Sequence, residues 1–349
     1  MYRGGVKLAV ITPLAVLSIT SAGLVACSSA DSPPGTTGSG GSSTGATVSA
    51  SASTGETSSS SSAAGGGSAT STTGAGGGTG AACTAKMFGD NRPVALHVPQ
   101  SYSCDKGAPL VIMLHGYTVS SAIEEVYLNI TAESEKRGFL YAHPDGTKDA
   151  QDKPFWNATD VCCDFGGTMV DDSAYLSKLI KDVEAAYNVD AKRVYLIGHS
   201  NGGFMSYRMA CDHGDQIAGI ASLAGAMFND VTKCAAQTPV SVLEIHGTAD
   251  MTIAYKGGKI GANTFPAATT SVADWATIDA CLPQPDTSGA PMDLDTGLVG
   301  DETLVSNYTG CKSGTGVSLW TIEGGSHIPS FGAAFIPDVM DFLYAHPKP

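Results

Sequence analysis

The sequence predicts an α/β domain, a mainly parallel sheet with helices on both faces. Three observations predict it. Short apolar runs alternate with helix-period segments along residues 83–349. Several of those runs are apolar throughout, as strands buried on both faces must be. No repeat with a period of 20–50 residues occurs, which excludes solenoids and propellers. Strands and helices in alternation pack as parallel neighbours joined by crossing helices.

Taken in order, residues 94–98 alternate weakly and stop at Pro99, as an edge strand does. Residues 110–114 are a continuous apolar run between Pro109 and Gly116 and read as a buried strand. A helical pattern runs from Ser121 to Arg137 and closes at Gly138. Residues 139–142 form the next strand, ending at Pro144-Asp145-Gly146. Asp172 looks like the N-cap of a helix carrying Tyr175, Leu176, Leu179, Ile180, Val183 and Tyr187 at helical spacing. Residues 194–197 are a strand that runs straight into Gly198, residues 204–211 continue as a helix, and residues 217–224 are a further strand. Residues 240–245 and 317–322 are two more strands, and residues 333–344 fit a terminal helix. Residues 282–310 show little pattern and read as a surface loop.

The chain ahead of this domain has another character. Residues 1–26 carry Arg3 and Lys7, then an apolar core ending in small residues, which is the pattern of an export signal. Leu24-Val25-Ala26-Cys27 resembles a bacterial lipobox, implying cleavage before Cys27 and its lipidation. From 28 to 82 every residue but Asp31, Pro33, Pro34, Val48 and Glu56 is Ser, Gly, Thr or Ala. Such a tract has almost nothing to bury and reads as a disordered tether with a reach of about 40 Å. The expected organisation is therefore a signal over 1–26, a lipidated linker over 27–82 and one domain over 83–349. The formal charge is −14, and the four charged residues before position 83 cancel, so all the acidity sits on the domain. That balance argues against nucleic acid and anionic membrane as ligands. No apolar run beyond the N-terminus approaches the roughly 20 residues of a spanning helix, which leaves the lipid as the expected membrane contact. The expected location is outside the cytoplasm, in the cell envelope or beyond it. With Cys27 set aside, eight cysteines remain, and an even number in an exported chain reads as disulfides. Sequence order suggests Cys83–Cys104, Cys211–Cys234 and Cys281–Cys311, with the adjacent Cys162 and Cys163 left over. No CxxC with zinc spacing occurs, so a structural metal site is not expected, and no cofactor is expected either.

The chemistry starts at Gly198-His199-Ser200-Asn201-Gly202, a G-x-S-x-G pentapeptide. Alone it is weak, because Gly41-Ser42-Ser43-Thr44-Gly45 in the tether matches it too. Only Ser200 has a strand before it and a helix after it, the context in which a tight turn lifts the serine above the sheet edge. A serine hydroxyl needs a base, and the base an orienting acid, in the chain order Ser, Asp or Glu, His. Asp250 directly follows the strand 240–245; Asp230 falls within the suggested Cys211–Cys234 loop. His327 follows the strand 317–322; His346 is close to the end. The expected triad is Ser200, Asp250 and His327. The oxyanion donors should be the backbone N–H groups of Asn201 and Tyr117, with His115-Gly116 shaping the loop rather than supplying the base.

With these residues in place, the domain resembles the secreted α/β-hydrolase esterases that include feruloyl esterases, acetylxylan esterases and polyhydroxybutyrate depolymerase-like proteins. The matching pieces are Leu114-His115-Gly116, the segment from Tyr141 to Gly146, Trp156 with Cys162-Cys163, and Asp171-Asp172. Gly198 to Gly203, His246 to Asp250 and Gly324 to His327 complete the set. The resemblance implies an α/β-hydrolase fold and carboxylic ester hydrolysis by the same triad, on small or polymer-linked esters of plant cell-wall polysaccharide or polyester. Members often carry an aromatic residue directly after the histidine, where this chain has Ile328. His199, Trp156, Tyr255 and Ile328 are candidate substrate-binding residues. Tyr117 and Trp275 are further candidates for the substrate wall, with a place in the core as the competing reading for the aromatic ones. A serine peptidase of the same fold and a non-catalytic anchored binding protein are the rival functions; degenerate scaffolds usually lose a triad member, and none is missing here.

Overall fold

In the computed structural model, residues 83–236 and 238–349 are described. The expected export signal, Cys27 and the tract that includes Ser43 lie outside the described residues. The frame is a nine-stranded sheet: β1 Met87–Phe88, β2 Val94–His97, β3 Ala108–Leu114, β4 Leu140–Ala142, β5 Val189–His199, β6 Gly219–Leu223, β7 Ser241–Gly247, β8 Thr303–Tyr308 and β9 Val317–Ile322. Its spatial order is β1-β2-β4-β3-β5-β6-β7-β9-β8. From β4 across to β9 all neighbours are parallel. Antiparallel pairing in this sheet is confined to the margins, where β1 meets β2, β2 meets β4 and β8 meets β9.

Six helices cover the sheet: α1 Ser121–Leu128, α2 Ile130–Arg137, α3 Asp172–Ala186, α4 Asn201–His213, α5 Ala268–Ile278 and α6 Phe335–Ala345. Successive side chains of a strand point to opposite faces. Leu110, Ile112 and Leu114 of β3 accordingly enter one core cluster with residues of α3, α4 and α5. Val111 and Met113 enter the other, with Leu128 of α1, Ile130 of α2 and Val339, Met340 and Leu343 of α6. Every residue of β3 is buried, which is why its sequence is apolar without alternation. Burying each Leu or Ile of this kind contributes roughly 1.5–3 kcal/mol.

The fold class is the expected one, and several local expectations need correction. The helical pattern 121–137 is two helices, because Asn129 adopts the left-handed conformation at φ 53° and donates its N–H to Glu125. The cap of α3 is Asp171, whose carboxylate accepts from the Ala174 N–H at 2.9 Å. Asp172 is buried and pairs with Arg92. Strand β2 is not the margin, since β1 lies outside it. The stretch read as a loop over 282–310 contains β8, and α5 had no sequence counterpart. The cysteines pair as Cys83–Cys104, Cys211–Cys234 and Cys281–Cys311, and Cys162 is bonded to its neighbour Cys163.

Candidate active site

Strand β5 ends at His199 and α4 starts at Asn201, so Ser200 alone makes the turn, at φ 53° and ψ −118°. That backbone is strained for an L-residue, at a cost of about 1–3 kcal/mol, and persists only where its surroundings hold it. Here the Ser200 N–H donates to Leu223 at 2.7 Å and its carbonyl accepts from Phe204 at 3.0 Å. The flanking glycines permit the crossing. A Cβ at Gly198 would lie 2.1 Å from the Gly202 carbonyl oxygen, and one at Gly202 would lie 1.9 Å from that of Leu114.

The turn brings Ser200 to the loops that follow β7 and β9. The His327 Nε2 is 3.0 Å from the Ser200 hydroxyl, and its Nδ1 is 2.7 Å from Asp250 Oδ2. The three residues placed together by chain order are therefore hydrogen-bonded in sequence at the carboxyl edge of the parallel strands. Burial alone would raise the Asp250 carboxyl, but hydrogen bonds from His246, His327 and the Ile253 N–H hold it well below the usual carboxylate range. Its Oδ1 also accepts from the Thr252 and Ile253 N–H groups at 2.8 and 2.9 Å. An ionised Asp250 can only accept, so Nδ1 of His327 carries the proton and Nε2 presents its lone pair to the serine hydroxyl. Ser200 and His327 are half-buried, within reach of solvent.

The loop after β3 lies against the turn, a Cβ at Gly116 coming 3.5 Å from that of Ser200. The N–H groups of Tyr117 and Asn201 have no backbone acceptor among the described residues. Buried His115 accepts the Gly146 N–H on Nε2 at 2.8 Å, so Nδ1 donates to the Gly116 carbonyl at 2.8 Å. Burial pushes its pKa down, leaving a neutral ring that braces the loop.

The substrate-wall candidates divide. Trp156 is fully buried: its backbone exchanges hydrogen bonds with the Asn201 side chain at 2.7 and 2.9 Å, and its ring N–H donates to His115. It packs beneath the Ser200 turn, inside the core cluster. Trp275 is core as well, with its ring N–H on the Val240 carbonyl. His199 is also buried, with Nδ1 2.9 Å from Glu124 and Nε2 3.1 Å from the His327 carbonyl, so its ring lies between the Ser200 turn and the His327 loop. Tyr255 is half-buried and turns its hydroxyl to Thr321 at 2.9 Å, while Ile328 is 61% exposed beside His327. A cavity of about 650 Å³, lined by Arg92, Lys148 and Tyr175 among others, includes none of Ser200, Asp250 and His327. Sequence reasoning missed Glu124, which accepts the Gly116 N–H as well as His199, and Tyr127, whose hydroxyl donates to Pro329. It also missed Glu244 and His246 behind Asp250. Among the described residues no group of three or more His, Cys, Asp or Glu is placed to hold a metal ion.

The depressed Asp250 carboxyl has a consequence for stability. Its contribution is fully present above the unfolded value of about 3.9 and is lost as pH falls toward the folded value. In urea unfolding, the margin of the wild type over Asp250→Asn should be constant from about pH 7 to 5 and shrink below about pH 4. A margin unchanged down to about pH 2.5 would contradict this.

Comparison with known proteins identifies relatives of the chain. Residues 93–274 match the family described as esterase PHB depolymerase. Feruloyl esterase B of Piromyces equi is 29% identical over 251 residues, spanning 69% of this chain and 43% of that protein. Feruloyl esterase D of Neurospora crassa is 22% identical over 265 residues, 72% of this chain and 79% of that protein. The chain thus spans under half the length of the first of these relatives. Among solved structures, the acetyl xylan esterase from Aspergillus awamori superposes with a TM-score of 0.51 at 15% identity, over 72% of this chain and 94% of that one, a likeness of fold. The family match covers over half the chain and runs from β2 through the Ser200 turn and Asp250 into α5, and the chain belongs to the esterase PHB depolymerase family.

Proposed function

We propose that the chain is an exported serine esterase that cleaves carboxylic esters through an acyl-enzyme on Ser200. The observation that carries this reading is the hydrogen-bonded run from the Ser200 hydroxyl through His327 to Asp250. In this reading His327 Nε2 takes the hydroxyl proton as Oγ attacks the ester carbonyl. The tetrahedral oxyanion is met by the N–H groups of Tyr117 and Asn201, each such donor worth about 100- to 1,000-fold in rate. His327 then gives the proton to the departing alcohol, and water repeats the sequence to release the acid.

The substrate reading draws on two sources. Relatives are named feruloyl and acetyl xylan esterases, which points to esters of plant cell-wall polysaccharide, and the family description adds polyester. On this chain the Tyr117 ring, its hydroxyl anchored on Asp149 at 3.0 Å, meets the edge of Phe165 with centroids 5.2 Å apart. Phe165 is 58% exposed. An aromatic wall beside the proposed oxyanion loop supports an aromatic acyl group, so methyl ferulate is the preferred member of an ester panel that also holds acetylated xylan, hydroxybutyrate oligomers and short p-nitrophenyl esters.

Residues 1–26 are proposed as the export signal, Cys27 as the lipidated residue, 27–82 as a tether and 83–349 as the catalytic domain. The signal pattern ending at Ala26-Cys27 supports this. Native protein should partition into detergent and Cys27→Ser should release it or leave it unprocessed; wholly soluble wild type cleaved elsewhere would refute the anchor.

For the triad, Ser200→Ala and His327→Ala should each lower kcat by about 10⁵- to 10⁶-fold, and the double variant should be no worse than either. Asp250→Asn should lose about 10⁴-fold, since it orients the imidazole without taking the proton. All three should stay folded by circular dichroism. Folded Ser200→Ala with wild-type turnover on the ester panel would overturn the mechanism.

A further inference from the structure

Asp250 has a second imidazole on it. His246, near the end of β7, places Nε2 3.5 Å from Asp250 Oδ2, the oxygen that also accepts from His327 at 2.7 Å. The same Nε2 is 2.8 Å from the Ile253 carbonyl, and Nδ1 is 3.0 Å from Glu244 Oε1. The side chains of His246 and Glu244 are at most 1% exposed. With Glu244 and Asp250 ionised, both ring nitrogens face oxygens that accept. A neutral imidazole has one N–H and satisfies one side only, whereas an imidazolium satisfies both.

We propose that Glu244 holds His246 as an imidazolium and that His246 is a positioning residue for the catalytic acid, so that Asp250 lies as an anion between two histidines. This rests on the triad reading above. An unpaired charge so deeply buried would be expensive, but this one has carboxylates on both sides. Burial alone would lower the His246 pKa; the Asp250 and Glu244 carboxylates outweigh it and push it up to about 10. Burial also pushes the Glu244 carboxyl up, toward its neutral form. The ionic form of the pair prevails because the Asp250 carboxylate on the far side of the ring stabilises a charged imidazolium more than a neutral imidazole.

The charged and titratable groups around His246 are few. Glu244 comes from its own strand, Asp250 and Tyr255 from the segment that follows, and His327 stands across Asp250. Tyr207 of α4 and Ser222 of β6 lie beside the Glu244 carboxyl. Glu323 acts on Tyr255 from the end of β9. With His246 charged, part of the Asp250 charge is neutralised from behind, so the carboxylate stabilises protonated His327 less. The base then stays free to lower pH. Removing the His246 charge should have the opposite effect.

The test uses the full chain. In ¹⁵N NMR of the imidazoles, His246 should be doubly protonated at about pH 8, where an ordinary histidine of pKa near 6.5 is almost wholly neutral. Glu244→Gln should lower the pH at which His246 loses its second proton. His246→Gln should reduce kcat roughly ten- to a hundredfold with KM within about twofold. It should also move the acid limb of the kcat/KM profile upward by about one pH unit. A neutral His246 at about pH 8 would overturn the proposal. So would a folded His246→Gln that matches the wild type in kcat and acid limb and differs only in melting temperature, the mark of a purely structural role. If His246→Gln does not fold, the wild-type spectrum and Glu244→Gln decide. Retained turnover in Ser200→Ala would instead remove the triad reading, leaving the charge seen by NMR to stand on its own.

Discussion

The first turn of α4 runs so close to the end of β3 that no side-chain carbon fits at Gly202, where it would meet the Leu114 carbonyl oxygen at 1.9 Å. That approach fixes where the helix begins, and the helix in turn fixes Ser200 in its strained turn. Relaxing Ser200 toward an ordinary conformation would shift α4 and pull Phe204, Met205 and Tyr207, fully buried, out of the core cluster they share with side chains of β3 and β6. The core on one face of the sheet thus supplies the energy that holds the strain on its edge. The Trp156–Asn201 bracket and the Leu223 carbonyl add hydrogen bonds that lock the same turn from outside the helix.

Around this turn the chain repeats one electrostatic device. Three buried or half-buried histidines each face a buried carboxylate: His199 with Glu124, His246 with Glu244, and His327 with Asp250. A buried carboxylate without a partner would be driven to its neutral form. Paired, it acts as a fixed acceptor that orients a ring. Glu124 shows the economy of the arrangement, since one oxygen holds His199 and the other the Gly116 N–H beneath the loop proposed to bind the oxyanion. The nucleophile turn, that loop and the His327 loop are therefore connected through two side chains. Tyr127 fastens the His327 loop once more through Pro329, and Asp295 accepts from the Ser330 N–H at 2.9 Å.

Much of this was legible in the sequence, and the gaps have physical causes. Strands buried on both faces leave mostly apolar runs, so β3, β5, β7 and β9 and the chain order of Ser200, Asp250 and His327 were readable. Strand β8 was not, because at the sheet margin its side chains are only partly covered and Ser306 and Asn307 break any alternation. Helix α5 opens with Ala-Thr-Thr-Ser, weak in helical propensity, and is held by burial of Val272 and Trp275. Trp156 was left open between cleft and core, because an aromatic ring beside a cleft and one in the core look alike in sequence; it lies in the core. Cys162 and Cys163 had no reading because order along the chain favours pairs that close a loop. Glu244 and His246 did leave a signal. Two ionisable residues, two apart in a strand otherwise apolar, must face the same side of the sheet and find partners there.

The central claim is covalent chemistry at Ser200, and trapping the intermediate tests it most directly. Full-length protein mixed with excess methyl ferulate, quenched with acid in the pre-steady state and digested for mass spectrometry, should carry a feruloyl group on the peptide that contains Ser200. The group should be absent from the same peptide of Ser200→Ala and should disappear as substrate is exhausted. Turnover without any acylated peptide, or an acyl group on another residue that turns over at the catalytic rate, would contradict it.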